Sequence, residues 1–411
     1  MNLLFFTQVY PDEPGTETFR SSSVCHYWTK EWVKQGHKVL VVYCYPNYHP
    51  IFHWLAKCMP MFISQFTNGT LTNLLDKKIT YTLDGVQVLK LPMKKVMPKI
   101  RYSNGMISSL VSNIIDYTTY TGFVPDMILS HFDNPILEIA GKCKDIFDVP
   151  FSFVLHGYAS DIKRLYPNNY KELIEKVDVW GFRSEAIHRD FERNYGAIKD
   201  YFIAYSGIPD GYIKNLSSVS QKNKGRITYV GALMRRKYPE KVLEATIPML
   251  KNGTMSIDYI GCGALSKTIE NICHKEGIEN RVRLLGQSPR NEVQKCLAQS
   301  DLFVMISRHE TFGMVYLEAM ANGCITIAAK DEGFDGIIKD GINGFLCKAG
   351  DAKELYKIIN HINSLSEEKL SIIREAAIKT AKQMTESQMA EKYLKDVIKI
   401  LEKRDLEAKF Y

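Results

Sequence analysis

The sequence predicts an α/β protein of two Rossmann-like, doubly wound domains, and three observations lead there. The chain has 411 residues, more than one ordinary hydrophobic core organises. Short apolar runs ending at Gly, Pro, Asn or His alternate with amphipathic stretches, which is the pattern of βαβ units. That alternation occurs twice, on either side of a polar segment, Asn215–Gly225, rich in Ser, Asn, Gln and Lys and read as a linker.

In the first half, Leu3–Phe6 reads as the opening strand and Lys38–Tyr43 as the next. Between them, residues 20–35 place Val24, Tyr27, Trp28, Trp32 and Val33 at near-helical spacing, and Gly36 ends that helix. Apolar runs at 86–91, 126–130, 151–155 and 178–182 continue the series. Beyond the linker, strands are expected at 226–230, 256–260, 281–285, 302–306 and 324–328. The tail from 366 to 404 is helical by periodicity. Its last part is expected to pack back across the first domain, because so long an amphipathic stretch needs a partner surface. The expected domains are 1–210, 226–385 and a returning helix over 386–411.

A hydrophobic fraction of 45% and a charged fraction of 24% fit a soluble globular chain rather than a disordered one. The net charge of +7 is mild, and Lys and Arg are interleaved with Asp and Glu, so no nucleic-acid partner is expected. Nine cysteines stand singly without a CxxC pair, which favours reduced thiols over a disulfide framework or a zinc ribbon. The opening MNLLFFTQVYPDEPG lacks a basic n-region and reads as a core strand, not a signal peptide. No apolar run approaches the ~18 residues of a membrane span. The expected location is therefore cytoplasmic. Residues 46–75 form an apolar, aromatic insertion, and Gly85–Ile115 carries Lys90, Lys94, Lys95, Lys99 and Arg101 with no acidic residue. Two readings stay open for this face: a solvated basic edge, or a surface that sits peripherally on anionic lipid or grips an anionic acceptor.

Chemistry concentrates at residues 309–323, HETFGMVYLEAMANG, after the strand-like run DLFVMIS. Glu310 precedes a helix and Glu318 lies inside it, while Thr311, Phe312, Gly313 and Met314 make the turn. Amides at such a tip are unpaired and favour a phosphate or an oxygen-rich ligand. A carboxylate on each side supplies acceptors for sugar hydroxyls.

This segment resembles the E-x7-E signature of family 4 retaining glycosyltransferases, which have the GT-B fold and are typified by bacterial polysaccharide-assembly enzymes. The resemblance implies that the two domains face each other across a cleft. The resemblance extends through VGALMRRKYPEKVLEA, IGCGALSKTIENI, RVRLLGQSP and DEGFDGIIKDGINGFLCKAGDAKEL, covering essentially all of the second domain. In the first domain it is looser, through VYPDEPGTET, QGHKV and LHGYASD.

The resemblance implies a role for each matching position. Glu310 would hold hydroxyls of the donor sugar, the backbone of Phe312, Gly313 and Met314 would touch sugar and phosphate, and Glu318 would hold the nucleotide ribose. Lys237 matches the lysine that clamps the donor diphosphate. The family's arginine follows Gly231, itself a donor-binding position, but Ala232 stands there, so Arg235 or Arg236 supplies the missing charge. His156 would hydrogen-bond a sugar hydroxyl or the acceptor; for Asp161 two readings stand, orienting His156 or, the favoured one, capping the next helix. Gly15 and Thr16 would approach the diphosphate or acceptor through their backbone, although the family often has two glycines there. The implied substrates are a nucleotide-sugar donor, which makes any cofactor unnecessary, and a glycan or lipid-linked glycan acceptor. The chain has no Asp-x-Asp, and no metal is expected.

Three rival readings stand beside this one. Gly261-Cys262-Gly263 resembles the start of a dinucleotide fingerprint, but Ser266 stands at the third glycine and RVRLLG ends in Gly286 instead of an acidic residue. A different GT-B enzyme, such as a sugar-nucleotide epimerase or a phosphorylase, lacks the combination of Glu310, Glu318 and the Gly-rich turn. A catalytically decayed carbohydrate-binding protein is kept in play by Ala232.

Overall fold

A computed structural model of the chain describes residues 1–13, 24–48, 50–58, 77–95, 101–213 and 223–408. Its backbone falls into two units. One comprises Met1–Arg183, Ile187–Ala204 and Met389–Tyr411, and the other Ser184–Ala186 and Tyr205–Gln388.

The first unit carries strands β1 (Asn2–Thr7), β2 (Lys38–Tyr48), β3 (Ile79–Leu83), β4 (Val86–Lys95), β5 (Met127–His131), β6 (Phe151–Leu155), β7 (Val179–Phe182) and β8 (Tyr201–Ile203). They form one sheet in the order β3-β4-β2-β1-β5-β6-β7-β8. All pairings are parallel except that of β3 with β4. The residues of β5 and β6 are buried throughout, since helices cover both faces of a parallel sheet, and this is why they read as unbroken apolar runs. Asp84 and Gly85 both have positive φ, 49° and 81°, and join β3 to β4 in a tight hairpin turn. Strands β3 and β8 add to the six runs legible in the sequence.

Helix His26–Lys34 buries Tyr27, Trp28 and Trp32, and ends where Gly36, at φ 88°, donates its N–H to Val33 O at 3.0 Å. Helix Glu386–Ala408 packs on this unit. Trp32 Nε1 donates to Ala390 O at 2.9 Å, and the Tyr393 ring lies against Trp28, Trp32 and Phe202. Tyr393, Leu394 and Val397 are buried, contributing roughly 1.5–3 kcal/mol each.

The second unit carries β9 (Asn223–Val230), β10 (Ser256–Ile260), β11 (Val282–Leu284), β12 (Ser300–Met305), β13 (Ile325–Ala329) and β14 (Phe345–Cys347). Its sheet is parallel throughout, in the order β11-β10-β9-β12-β13-β14. Chain order reverses between β9 and β12. Open α/β sheets bind ligands beyond their strand carboxyl ends at such a reversal.

Several expectations shift. The crossing between units falls at Ala204–Tyr205 rather than at 210, because Tyr205 already packs on Phe312 and Ile208 bridges Thr385. It returns at Gln388–Met389, since Glu386 N–H still donates to Ile208 O. Of the expected linker, residues 215–222 lie outside the described residues, while Asn223, Lys224 and Gly225 belong to β9. Lys90 is no surface cation: it is 8% exposed, paired with Asp12, and its ammonium lies 4.0 Å from the Tyr45 ring centroid. Arg101 pairs with Glu138 at 2.8 Å. Of the insertion, residues 46–48 end β2 and helix Pro50–Cys58 exposes Ile51 and Trp54, while residues 59–75, and Lys99 of the basic stretch, lie outside the described residues. No helix among the described residues is long and apolar enough to cross a membrane.

Candidate active site

The site of the second unit forms from the two loops that leave β9 and β12. After β9 the chain runs beside the loop that follows β10. Gly231 N–H donates to Ile260 O at 2.9 Å and Leu233 N–H to Cys262 O at 3.1 Å. A Cβ on Gly261 would sit 2.1 Å from Gly231 O, and one on Gly263 2.4 Å from Leu233 O. Gly261 and Gly263 thus let two loops lie together, which accounts for a pair resembling a dinucleotide fingerprint.

The chain then makes a 3₁₀ turn at Arg235–Lys237 and enters helix Pro239–Lys251. The loop after β12 latches onto this turn: Arg308 N–H donates to Arg236 O at 2.7 Å, and Arg236 Nη1 donates to His309 O at 3.2 Å. The Lys237 side chain folds back over Gly231, where an added Cβ would lie 3.5 Å from Nζ. Its ammonium reaches Glu310 Oε2 at 3.0 Å, both side chains being largely buried. Arg235 and Arg236 are exposed, and the guanidinium of Arg236 is engaged with the loop backbone.

Glu310 itself is fixed through its backbone. Its N–H donates to Glu332 Oε2 at 3.0 Å, and its carbonyl accepts from Gly333 N–H at 2.8 Å. A Cβ on Gly333 would come within 2.4 Å of Thr311, so only glycine admits this loop. Gly313 has φ 82°, and an added Cβ would lie 2.5 Å from the Tyr316 ring. Helix Met314–Ala321 starts directly after it, with no side chain capping its N-terminus. Tyr316 N–H donates to Gly313 O at 3.0 Å, and the amides of Met314 and Val315 ahead of it are available to an anion or a hydroxyl. The Phe312 ring is buried against Phe334 and Tyr205, which leaves only its backbone for a ligand; Met314 is half-buried.

Glu318 sits on that helix, 5% exposed. Arg290 Nη2 donates to Oε1 at 3.1 Å and Gln294 Nε2 to Oε2 at 3.0 Å. Burial raises its carboxyl pKa, and Arg290 opposes that shift. A carboxylate has about four acceptor positions, so both oxygens keep capacity for further donors. Sequence reasoning missed Arg290, Gln294 and Glu332. Arg290 and Gln294 stand four apart on helix Arg290–Gln299, a spacing that places both on one face.

In the first unit, His156 follows β6. Its Nε2 lies 2.7 Å from His131 Nδ1, and its ring stacks on Phe132 at a centroid distance of 4.1 Å. Burial holds its pKa well below the usual histidine range, so the ring is neutral. Asp161 neither orients it nor caps the following helix: Arg164 takes its carboxylate in a two-nitrogen contact one turn on. Gly15 and Thr16 lie outside the described residues.

The second unit therefore brings together Gly231, Lys237, Glu310 and the helix tip at Gly313–Met314, with Glu318 deeper on the same helix. An ammonium beside uncapped amides stabilises phosphate charge, and the buried carboxylates accept hydroxyls.

The family model for glycosyl transferases group 1 matches residues 214–384. An uncharacterized glycosyltransferase of Methanocaldococcus jannaschii is 29% identical over 58% of this chain, and the match spans 66% of that relative. The amylovoran biosynthesis glycosyltransferase AmsK of Erwinia amylovora is 24% identical over 92% of this chain and 95% of its own length. The crystal structure of Anabaena HepE in complex with UDP aligns over 97% of this chain and 100% of that one, with a TM-score of 0.69 at 18% identity. HepE has also been solved with UDP-glucose.

Proposed function

We propose, from the premise that the chain carries a glycosyl transferases group 1 domain on a GT-B fold, that it moves a hexosyl-type sugar from a nucleotide-sugar donor to a glycan or lipid-linked glycan. The observation carrying this reading is the Lys237–Glu310 pair at the point where strand order reverses, beside the open helix tip at Gly313.

The leaving group is a nucleoside diphosphate, on which charge grows as the glycosidic bond breaks. Lys237 and the amides of the helix Met314–Ala321 meet that charge, stabilising the transition state more than the ground state. Glu310, once its ammonium partner turns to phosphate, accepts hydroxyls of the sugar. Glu318 accepts the ribose hydroxyls, held in place by Arg290 and Gln294. Arg236 steadies the Lys237 turn through His309, and Arg235 is the exposed cation left to reach the diphosphate. We assign no metal to these steps, and retention by front-face attack, with the donor phosphate taking the acceptor proton.

His156 and the first unit serve the acceptor. The near full-length likeness to an amylovoran biosynthesis enzyme favours a cell-surface polysaccharide as the product. Exposed Ile51 and Trp54, with exposed Lys77, Lys78 and Lys94 in the same unit, suit peripheral contact with an anionic inner membrane face from the cytoplasm.

The test is release of nucleoside diphosphate without acceptor, run across UDP-, GDP- and ADP-sugars after a thermal-shift screen of the same panel. Slow release for one base class supports the transferase. Stabilisation without release from any donor points to a carbohydrate-binding protein, for which Ala232 in place of an arginine is the favouring feature.

A further inference from the structure

Two histidines in hydrogen-bond contact need one proton between them, and here a third group decides where it sits. His131 ends β5 and is wholly buried, its ring enclosed by Phe5, Trp28 and Tyr393. Nδ1 of His131 lies 2.7 Å from His156 Nε2, and Nε2 lies 3.2 Å from the Tyr393 hydroxyl. Tyr393 belongs to helix Glu386–Ala408 and is itself buried. Burial first, and then the buried Arg183 guanidinium, keeps His131 neutral; burial, His131 and Arg183 do the same for His156.

With both rings neutral, the chain of contacts has two proton orders. In one, Tyr393 donates to His131 Nε2, His131 Nδ1–H donates to His156 Nε2, and His156 carries its proton on Nδ1. In the other, every donor and acceptor is reversed. An imidazole nitrogen accepts far better than a phenol oxygen, and a phenol O–H donates better than a neutral imidazole N–H. The first order therefore makes the stronger set of bonds. Phe132, at φ 71°, stacks on the His156 ring and fixes its plane. A bulky residue in that region is a backbone outlier, held there by its surroundings.

We propose that His131 and Tyr393 are positioning residues that fix His156 as an Nδ1–H donor, so that His156 holds a lone pair of a substrate oxygen and does not serve as a base. The contact with substrate rests on the function proposed above; the tautomer does not.

The experiment is histidine side-chain nitrogen–proton correlation NMR on the full chain labelled with ¹⁵N-histidine. Wild type is expected to show His156 as the single Nδ1–H tautomer. Tyr393→Phe keeps the ring stack and removes the donor, and the single-tautomer signature of His156 is lost to a mixture. An Nε2–H signature in wild type, or an unchanged tautomer in Tyr393→Phe, overturns the proposal. If Tyr393→Phe does not fold, the wild-type signals of His131 give a second reading: the favoured order requires His131 to carry its proton on Nδ1 with Nε2 accepting from Tyr393, and an Nε2–H signature for His131 overturns the proposal. Donor and acceptor kinetics of His156→Ala separate the two levels. Unchanged turnover and KM sink the substrate contact while leaving the tautomer result standing.

Discussion

Lys237 Nζ and Glu310 Oε2 lie 3.0 Å apart, so the cation proposed for the diphosphate and the carboxylate proposed for the sugar are each other's partner. A donor has to replace one contact by two. Lys237→Ala and Glu310→Ala should each lower kcat at least ~100-fold, the magnitude for losing one electrostatic contact to a transition state. The double substitution should cost less than the product of the two, because residues that share a contact are not additive. Wild-type rates in either single variant would place the chemistry elsewhere.

The buried carboxylate of Glu318 gives a pH-dependent signature. Its pKa is raised by burial against the pull of Arg290, so the folded protein holds that proton more tightly than the unfolded chain. The group's burial penalty is absent below the unfolded glutamate value of ~4.3 and sets in as pH rises through the raised folded value. Glu318→Gln removes the penalty. The melting-temperature difference, variant minus wild type, should therefore grow more positive from pH 4 to pH 7. A difference that is flat or falls across that range contradicts the assignment.

The tip of helix Met314–Ala321 depends on Gly313, whose φ of 82° and 2.5 Å approach to the Tyr316 ring exclude a side chain. Gly313→Ala should cost about 1–3 kcal/mol in urea unfolding, the scale of one strained backbone site. It should also weaken donor binding, since the amides proposed to meet phosphate shift with it. Gly36→Ala, also at positive φ but with open space around its Cβ, should cost less and leave donor affinity unchanged.

What was legible in the sequence follows from where the physics is local. Strands such as Phe151–Leu155 are buried on both faces and stand out as unbroken apolar runs. Helix ends at Gly36 and Gly313 carry their own conformational marks. Phe345–Cys347 is only three residues long and passes unnoticed, and Asp84-Gly85 was a hairpin signal not taken up. The harder misses are long-range. Nothing near Lys90 in the chain says that Asp12 neutralises it across the fold, and nothing near Glu318 says that Arg290 and Gln294 will hold it. The family resemblance singled out Glu310 and Lys237, but their direct pairing is a property of how the loops after β9 and β12 fold together.

Lys90 and Lys94 make the last prediction, because they are neighbours on β4 with opposite environments. Lys90 is enclosed between Asp12 and the rings of Tyr43 and Tyr45, while Lys94 is exposed. Breaking a buried ion pair from one side strands the other charge, so Lys90→Ala should cost about 3–5 kcal/mol in unfolding. Lys94→Glu should leave stability within ~0.5 kcal/mol, the range for exposed sites. Combined with Lys77→Glu and Lys78→Glu, it should weaken sedimentation with vesicles rich in anionic lipid, and more so at low salt, where charges are less screened. A folded Lys90→Ala protein should sediment as wild type does. Equal loss in Lys90→Ala and the exposed-lysine variant would mean that the basic face acts as a whole and that the Lys90–Asp12 pair opens in solution. Unchanged sedimentation in both would remove the membrane from the proposed function and leave the acceptor to be met free in solution.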